Sequence, residues 1–272
     1  MVNAPVLKDL NPLLIGGIKF NAYRSESFFD INSTVIDDAH IHGWFEIYIN
    51  VSGDISFLHG SSVSNITRGD AVVSHPSDVH HCIYNSSCKH EHFCIWILGD
   101  AVTNFLLERG VRGKISLNDE NKEKLISLAT RLTDIDDKFL KTNCLFEIIA
   151  LLGSESNNFK NFETSHRNDK LGEILAYIDA YYLTTTGSKE IAKRFFISES
   201  TLNRNFKKYA GITVGKLIEY KRLSHAEKLL KQGASVTEAC YSSGFLDCSR
   251  FIMRFKQKFG VTPLKYKRQI FE

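Results

Sequence analysis

The chain has 272 residues, 43% apolar and 24% charged, a balance that suits a water-soluble globular protein of one large or two ordinary domains. No apolar run approaches the roughly 20 residues needed to cross a bilayer, so no membrane-spanning helix is expected. The formal net charge of +3 hides a split: residues 1–166 carry 14 Lys+Arg against 21 Asp+Glu (−7), and residues 167–272 carry 20 against 10 (+10), which points to a polyanionic partner for the second half.

The opening "MVNAPVLKDLNPLL" lacks a basic stretch followed by an apolar block, so no secretory signal is expected. Cys82, Cys88, Cys94, Cys144, Cys240 and Cys248 form no CxxC pair and read as reduced thiols of a cytoplasmic protein. Residues 15–100 are expected to form several short strands, because alternating runs such as "FEIYINVSGDISFLHG" and "HEHFCIWIL" are separated by Gly, Asn, Asp and Ser clusters. From about Asp100 apolar residues recur every three and four positions, which predicts helices. Two stripes result, Leu125/Leu128/Leu132 and Leu145/Ile148/Ile149/Leu152; one must cover the strands, and the other is either core or a contact with a second copy. Residues 153–170 are polar and read as a linker between a first domain at 1–152 and a second at 171–270.

The second domain reads as short helices, with Ser188, Ser198, Thr213, Ser235 and Thr262 near helix starts and Gly211, Gly233, Gly244 and Gly260 near helix stops. Two pairs, about 188–210 and 235–259, repeat one arrangement: a helix with a small residue at the crossing (Ala192, Ala239), a tight turn, and a second helix with a buried apolar face. This is the helix-turn-helix pattern, whose second helix can enter a DNA major groove. Ser200, Thr201, Asn203, Arg204 and Lys207 are expected on the outer face of the first recognition helix, and Cys248, Ser249, Arg250 and Arg254 on that of the second. Arg and Asn can bond base edges bidentately, whereas Lys and Ser mostly hold phosphates. The intervening helix, about Thr213–Gln232, spans roughly 30 Å, close to one turn of B-DNA.

"GFLDCSRFIMRFKQKFGVTPLKYKR" (Gly244–Arg268) closely resembles the AraC/XylS family of bacterial transcription regulators. The resemblance runs from about Lys170 to Arg268 and implies an all-α double helix-turn-helix domain that binds double-stranded DNA, usually as a homodimer that activates promoters through RNA polymerase. It departs at Met253, where the family often has Arg, and at Phe196, where a glycine is common in the first turn.

In the first domain, "HIHGWFEIYINVSG" puts His40, His42, Trp44, Glu46 and Tyr48 on one face if the stretch is a strand. With the later Gly69, Pro76 and His80, the spacing resembles the two motifs of the cupin barrel, and the resemblance implies an all-β barrel. In metal-bearing cupins the positions of His40, His42, Glu46 and His80 would hold Zn, Fe or Mn. In AraC-type regulators a barrel of this kind captures a small effector instead, so the expectation here is a pocket of His40, His42, Trp44, Glu46, His80 and Trp96, with no catalysis and no resident cofactor. Imidazole, carboxylate and indole groups suit a sugar or sugar derivative. The rival reading is a metal-dependent cupin enzyme or metal sensor fused to a DNA-binding domain. His59, His75, His81, His90 and His92 are read as surface or strand-edge residues.

Overall fold

The computed structural model describes residues 13–15, 18–31, 40, 42, 44–60, 62–76, 78–155 and 170–271. Residues 1–12 and most of the proposed linker lie outside them. Strands β1 (Leu13–Ile15), β2 (Ile18–Phe29), β3 (Phe45–Ser52), β4 (Ile55–His59), β5 (Ser62–Ile66), β6 (Ala71–Ser74), β7 (His80–Tyr84) and β8 (Cys88–Leu98) come first, and β9 (Gly113–Ile115) follows helix α1 (Asp100–Glu108). They form a six-stranded sheet, β1-β2-β8-β3-β6-β9, and a three-stranded sheet, β5-β4-β7.

Strand alternation gives each sheet two different faces. On the large sheet Phe45, Ile47, Ile49, Phe93, Ile95 and Ile97 turn toward helices α2 (Asp119–Asp134) and α3 (Lys138–Glu155) in one apolar core. The opposite parity, Tyr48, Val72 and Cys94, meets Ile55, Phe57 and Ile66 of the small sheet in a second cluster, so the two sheets face each other. Register sets Glu46 opposite Trp96, Tyr48 opposite Cys94 and Asn50 opposite His92. His40, His42 and Trp44 precede β3 rather than extend it; a single bridge ties His40 to His80.

Asn118 caps α2 by accepting from the Asn121 amide, and Asp119 and Glu120 complement the helix dipole in its first turn. Both apolar stripes are core: Leu125, Leu128 and Leu132 lie with Leu145, Ile148, Ile149 and Leu152 in the same cluster as the sheet. Neither stripe is therefore open to a second copy. The exposed large apolar residues of α3 are Phe139 (76%), Leu140 (48%) and Phe146 (46%). α3 also runs three residues past the expected domain boundary, through Glu155, where Gly153 lets the Phe105 ring of α1 approach.

The carboxyl-terminal part comprises α4 (Lys170–Tyr181), α5 (Ser188–Arg194), α6 (Glu199–Ala210), α7 (Val214–Lys231), α8 (Val236–Ser242), α9 (Cys248–Phe259) and α10 (Pro263–Phe271). Ser198, Thr213, Ser235 and Asp247 cap α6 to α9 through their side chains, Ser235 in a reciprocal capping box with Glu238. Ser188 is not a cap: Gly187 stands at that position and makes no side-chain bond. Gly211 and Gly260 end the two recognition helices in the left-handed conformation. Ile191, Ala192, Leu202 and Phe206 of the first pair, and Ala239, Cys240, Phe251 and Phe255 of the second, are buried in one core with α4 and α7. Burying one such large apolar side chain stabilises by about 1.5–3 kcal/mol.

That core does not stop at the helices. Leu58, Val79 and Ile83, on or beside the outer face of the small sheet, belong to it, with Val63 packed against it. Gly211 adjoins the His81 ring of β7 so closely that a Cβ there would lie 2.2 Å from it. The small sheet thus rests directly on the end of the first recognition helix.

Candidate functional site

The helix-turn-helix pairs present a cationic outer face. Ser200, Arg204 and Lys207 on α6, and Ser249 and Arg250 on α9, are exposed. Thr201 and Asn203 are half-buried; Ser198 donates to the Thr201 hydroxyl at 2.7 Å, and the enclosed Asn203 Oδ1 has no hydrogen-bond partner among the described residues. Two expected contacts are turned inward or tied down. The half-buried Cys248 thiol acts on Cys240 and Tyr241 of α8, and Arg254 reaches Glu219 at 3.4 Å and Gln257 at 3.2 Å. Ser200, Arg204, Lys207, Ser249 and Arg250 are exposed on the outer faces, Ser200 with its hydroxyl 3.0 Å from that of Ser198. The spacer α7 has 18 residues, roughly 27 Å at 1.5 Å per residue.

All six expected pocket residues come together between the sheets. Trp96 Nε1 donates to Glu46 Oε2 at 2.6 Å, and His42 Nε2 lies 3.1 Å from the same oxygen. His80 Nε2 lies 3.6 Å from Glu46 Oε1. His40 stands over His80 with ring centroids 4.3 Å apart, and Trp44 stacks on His42 at 4.5 Å. Burial alone would raise the Glu46 carboxyl, but His80 and the His42 contact outweigh it and hold Glu46 well below the usual carboxylate range. Burial also pushes His40 and His42 down, so the cluster is an ionised carboxylate among imidazoles. The Lys258 ammonium of α9 is among the charges acting on His40.

One ligand atom from each of His40, His42, Glu46 and His80 lies within 4.8 Å of the others. His42 Nδ1 is 3.1 Å from the Trp44 carbonyl and His80 Nδ1 is 2.9 Å from the Asp78 carbonyl. These carbonyls orient the two rings so that both Nε2 atoms face the Glu46 carboxylate. Backbone carbonyls orienting imidazoles in this way are the usual second layer of a metal site. Three imidazoles and a carboxylate suit Zn, Fe or Mn, so the residues fit such an ion.

Three more histidines expected at the surface or strand edges are engaged inside the protein, His90 and His92 between the sheets and His81 between the small sheet and α6. His81 and His90 are buried, and His90 Nε2 and Nδ1 meet the hydroxyls of Tyr48 at 2.7 Å and Tyr84 at 2.8 Å. His92 stacks on Tyr48, its Nδ1 without a hydrogen-bond partner among the described residues, as are both amide atoms of the fully buried Asn50 opposite it. Even-numbered positions of β8 share the face of Trp96, and that parity was the available signal. His59 and His75 are likewise engaged, with Asp78 and the Val111 carbonyl.

Residues 191–269 match the family profile described as a helix-turn-helix domain. The chain is 31% identical over 121 residues to an uncharacterized HTH-type transcriptional regulator, YijO, of Escherichia coli strain K12, a match covering 44% of this chain and 41% of that protein. It is 31% identical over 120 residues to the HTH-type transcriptional activator RhaS of Escherichia coli O139:H28, covering 44% and 42%. The match thus spans less than half the length of these curated relatives. Among solved structures, unsaturated fatty acid-bound ToxT from Vibrio cholerae aligns over 93% of this chain and 95% of its own at 16% identity and a TM-score of 0.39. Two packed helix-turn-helix pairs on one core define the class, a double helix-turn-helix protein behind a two-sheet β domain. Residues 191–269 of its carboxyl-terminal domain are similar to helix-turn-helix domains, the region shared with these regulators.

Proposed function

We propose that the chain is a sequence-specific transcription regulator that sets its two recognition helices, α6 and α9, into successive major grooves on one face of a duplex. The observation that carries this reading is the pairing of Arg204 and Arg250, each exposed on the outer face of a recognition helix, across the 18-residue α7. Promoter activation through RNA polymerase is the outcome that the likeness to an activator supports. Arg204→Ala is expected to weaken promoter binding about tenfold or more in a gel shift at fixed salt, the range for one lost base contact. Unchanged affinity would remove Arg204 from the interface.

The effector site in this reading is the cluster of His40, His42, Trp44, Glu46, His80 and Trp96 in a cupin-like barrel. Hydrogen-bonding imidazoles beside indole faces support a polyhydroxylated ligand, a sugar or a derivative. Coupling runs through β7, where His80 points into the pocket and the next residue, His81, seats against Gly211 at the end of α6. A ligand that binds one setting of β7 better than another shifts the orientation of α6 by that difference in affinity.

A second reading has its own support in the clustered ligand atoms of His40, His42, Glu46 and His80: the pocket takes a divalent metal, and the protein senses it. His40, His42, Glu46 and His80 would hold the ion. Elemental analysis of protein purified without chelator separates the two, since stoichiometric metal lost in the Glu46→Gln variant supports sensing and its absence removes it. A homodimer through the outward Phe139 and Phe146 of α3 completes the proposal; sedimentation at the mass of one protomer would contradict it.

A further inference from the structure

Three helices of the second domain end in the same hydrogen-bonded closure. After α7, Gly233 N–H donates to the Leu230 carbonyl at 3.1 Å and Ala234 N–H to Leu229 at 3.0 Å. After α8, Gly244 and Phe245 repeat it with Tyr241 at 3.0 Å and Cys240 at 3.2 Å. After α5, Phe196 and Ile197 repeat it with Lys193 at 3.3 Å and Ala192 at 3.0 Å. This closure requires a left-handed residue, which is why glycine is the rule there. Phe196 holds it at φ 55, the only non-glycine residue with positive φ among the described residues. Its ring recovers nothing by packing, because the residue is 93% exposed. Strain kept without a packing gain points to a partner.

In the second motif Gly244 holds that turn position, and an exposed apolar residue stands two places after it. Phe245 packs against Phe251, ring centroids 5.1 Å apart, and the next residue, Leu246, is 95% exposed. Phe196 stands two residues before Ser198, the cap of α6, and Leu246 one residue before Asp247, the cap of α9. Both therefore flank the amino-terminal ends of the recognition helices, the ends that reach base edges in this motif. Exposed Lys193 and Arg194 adjoin Phe196 on α5, so the surround suits a phosphate backbone. The repetition decides between partners. A duplex offers the same groove to both modules, whereas a protein surface has no reason to repeat itself at that pitch.

Resting on the DNA-binding reading above, we infer that Phe196 and Leu246 are apolar duplex contacts, one ahead of each recognition helix, against thymine methyl groups and deoxyribose at the groove edge. Such contacts release no counterions, so they add affinity without adding salt dependence.

The test uses the full chain and duplexes that it selects from a random pool. Phe196→Gly suits the left-handed turn and is expected to raise Tm by about 2 °C. The same variant is expected to bind the selected duplex about tenfold more weakly, the lower end for one good groove contact, with the slope of log affinity against log salt unchanged. Leu246→Ser should behave alike in affinity and slope. Deoxyuridine in place of thymine should weaken the wild type and leave at least one of the two variants indifferent at its own half-site. Wild-type affinity in Phe196→Gly, or a loss that comes with a shallower salt slope, would overturn the inference. So would unchanged duplex affinity with a loss of polymerase-dependent transcription, which would assign the ring to a protein. A wild-type chain that selects no duplex would instead remove the DNA-binding reading itself.

Discussion

Gly244→Ala is expected to destabilise the carboxyl-terminal domain by about 3–5 kcal/mol, enough to unfold a marginal domain. Gly244 sits at φ 80, and a Cβ there would lie 2.4 Å from the Leu183 carbonyl oxygen and 2.9 Å from Arg222 Nε. Neither can retreat easily, because Arg222 is pinned by the carbonyls of Tyr182 and Thr185, each at 2.7 Å. The left-handed conformation adds about 1–2 kcal/mol for any residue with a Cβ. Gly233→Ala isolates that second contribution: it has φ 93 and nothing within 4 Å of the added carbon. Urea unfolding followed by circular dichroism should show the larger loss for Gly244→Ala and about 1 kcal/mol for Gly233→Ala. Equal losses would mean that the turn of the second motif is not sterically closed.

Acid should loosen the β domain well above the pH at which carboxylates usually fail. Burial pushes His90 down to about 3 and His92 and His81 to about 4. In the unfolded chain each returns to about 6.5, so between these values the unfolded state binds the extra protons. The stabilisation from keeping these rings neutral is complete above pH 6.5 and is lost as pH falls toward 4. At about 1.4 kcal/mol per unit, His90 alone accounts for roughly 3 kcal/mol over that window. Asp78 acts lower. Burial would raise it, but His59, Arg112 and the His75 amide prevail and hold it far below its ordinary value, so its share is lost only below about pH 4. Urea midpoints from pH 7.5 to 4.5 should fall for the wild type and fall less steeply for His90→Gln. Parallel profiles would mean that His90 is solvated.

Most of the second domain was legible because its helices carry local signals: the side-chain caps at Ser198, Thr213 and Ser235, the glycine stops, and the alanines at the crossings. Those signals act within one turn of chain, so they can be read without tertiary information. The pocket was legible as a set of residues but not as a strand. His40, His42 and Trp44 reach Glu46 from outside β3 through a bridge to His80, a contact between residues forty apart. The place of His90 and His92 between the sheets, and of His81 against α6, depended on which sheet each strand joined, which alternation alone does not decide. The leucine stripes of α2 and α3 were equally ambiguous, since an apolar face fits a domain core and a protein partner alike. Asn203, Cys248 and Arg254 lay on the expected helices, yet Asn203 is partly enclosed and the other two are engaged by neighbours that periodicity does not identify.

The proposed function turns on α6 and α9 entering adjacent grooves together, and footprinting the intact protein on a selected duplex measures this directly. Two protected tracts on one face of the helix, centred about 10 base pairs apart, are expected for each protomer. A single tract no longer than one helix-turn-helix can cover would contradict the paired engagement.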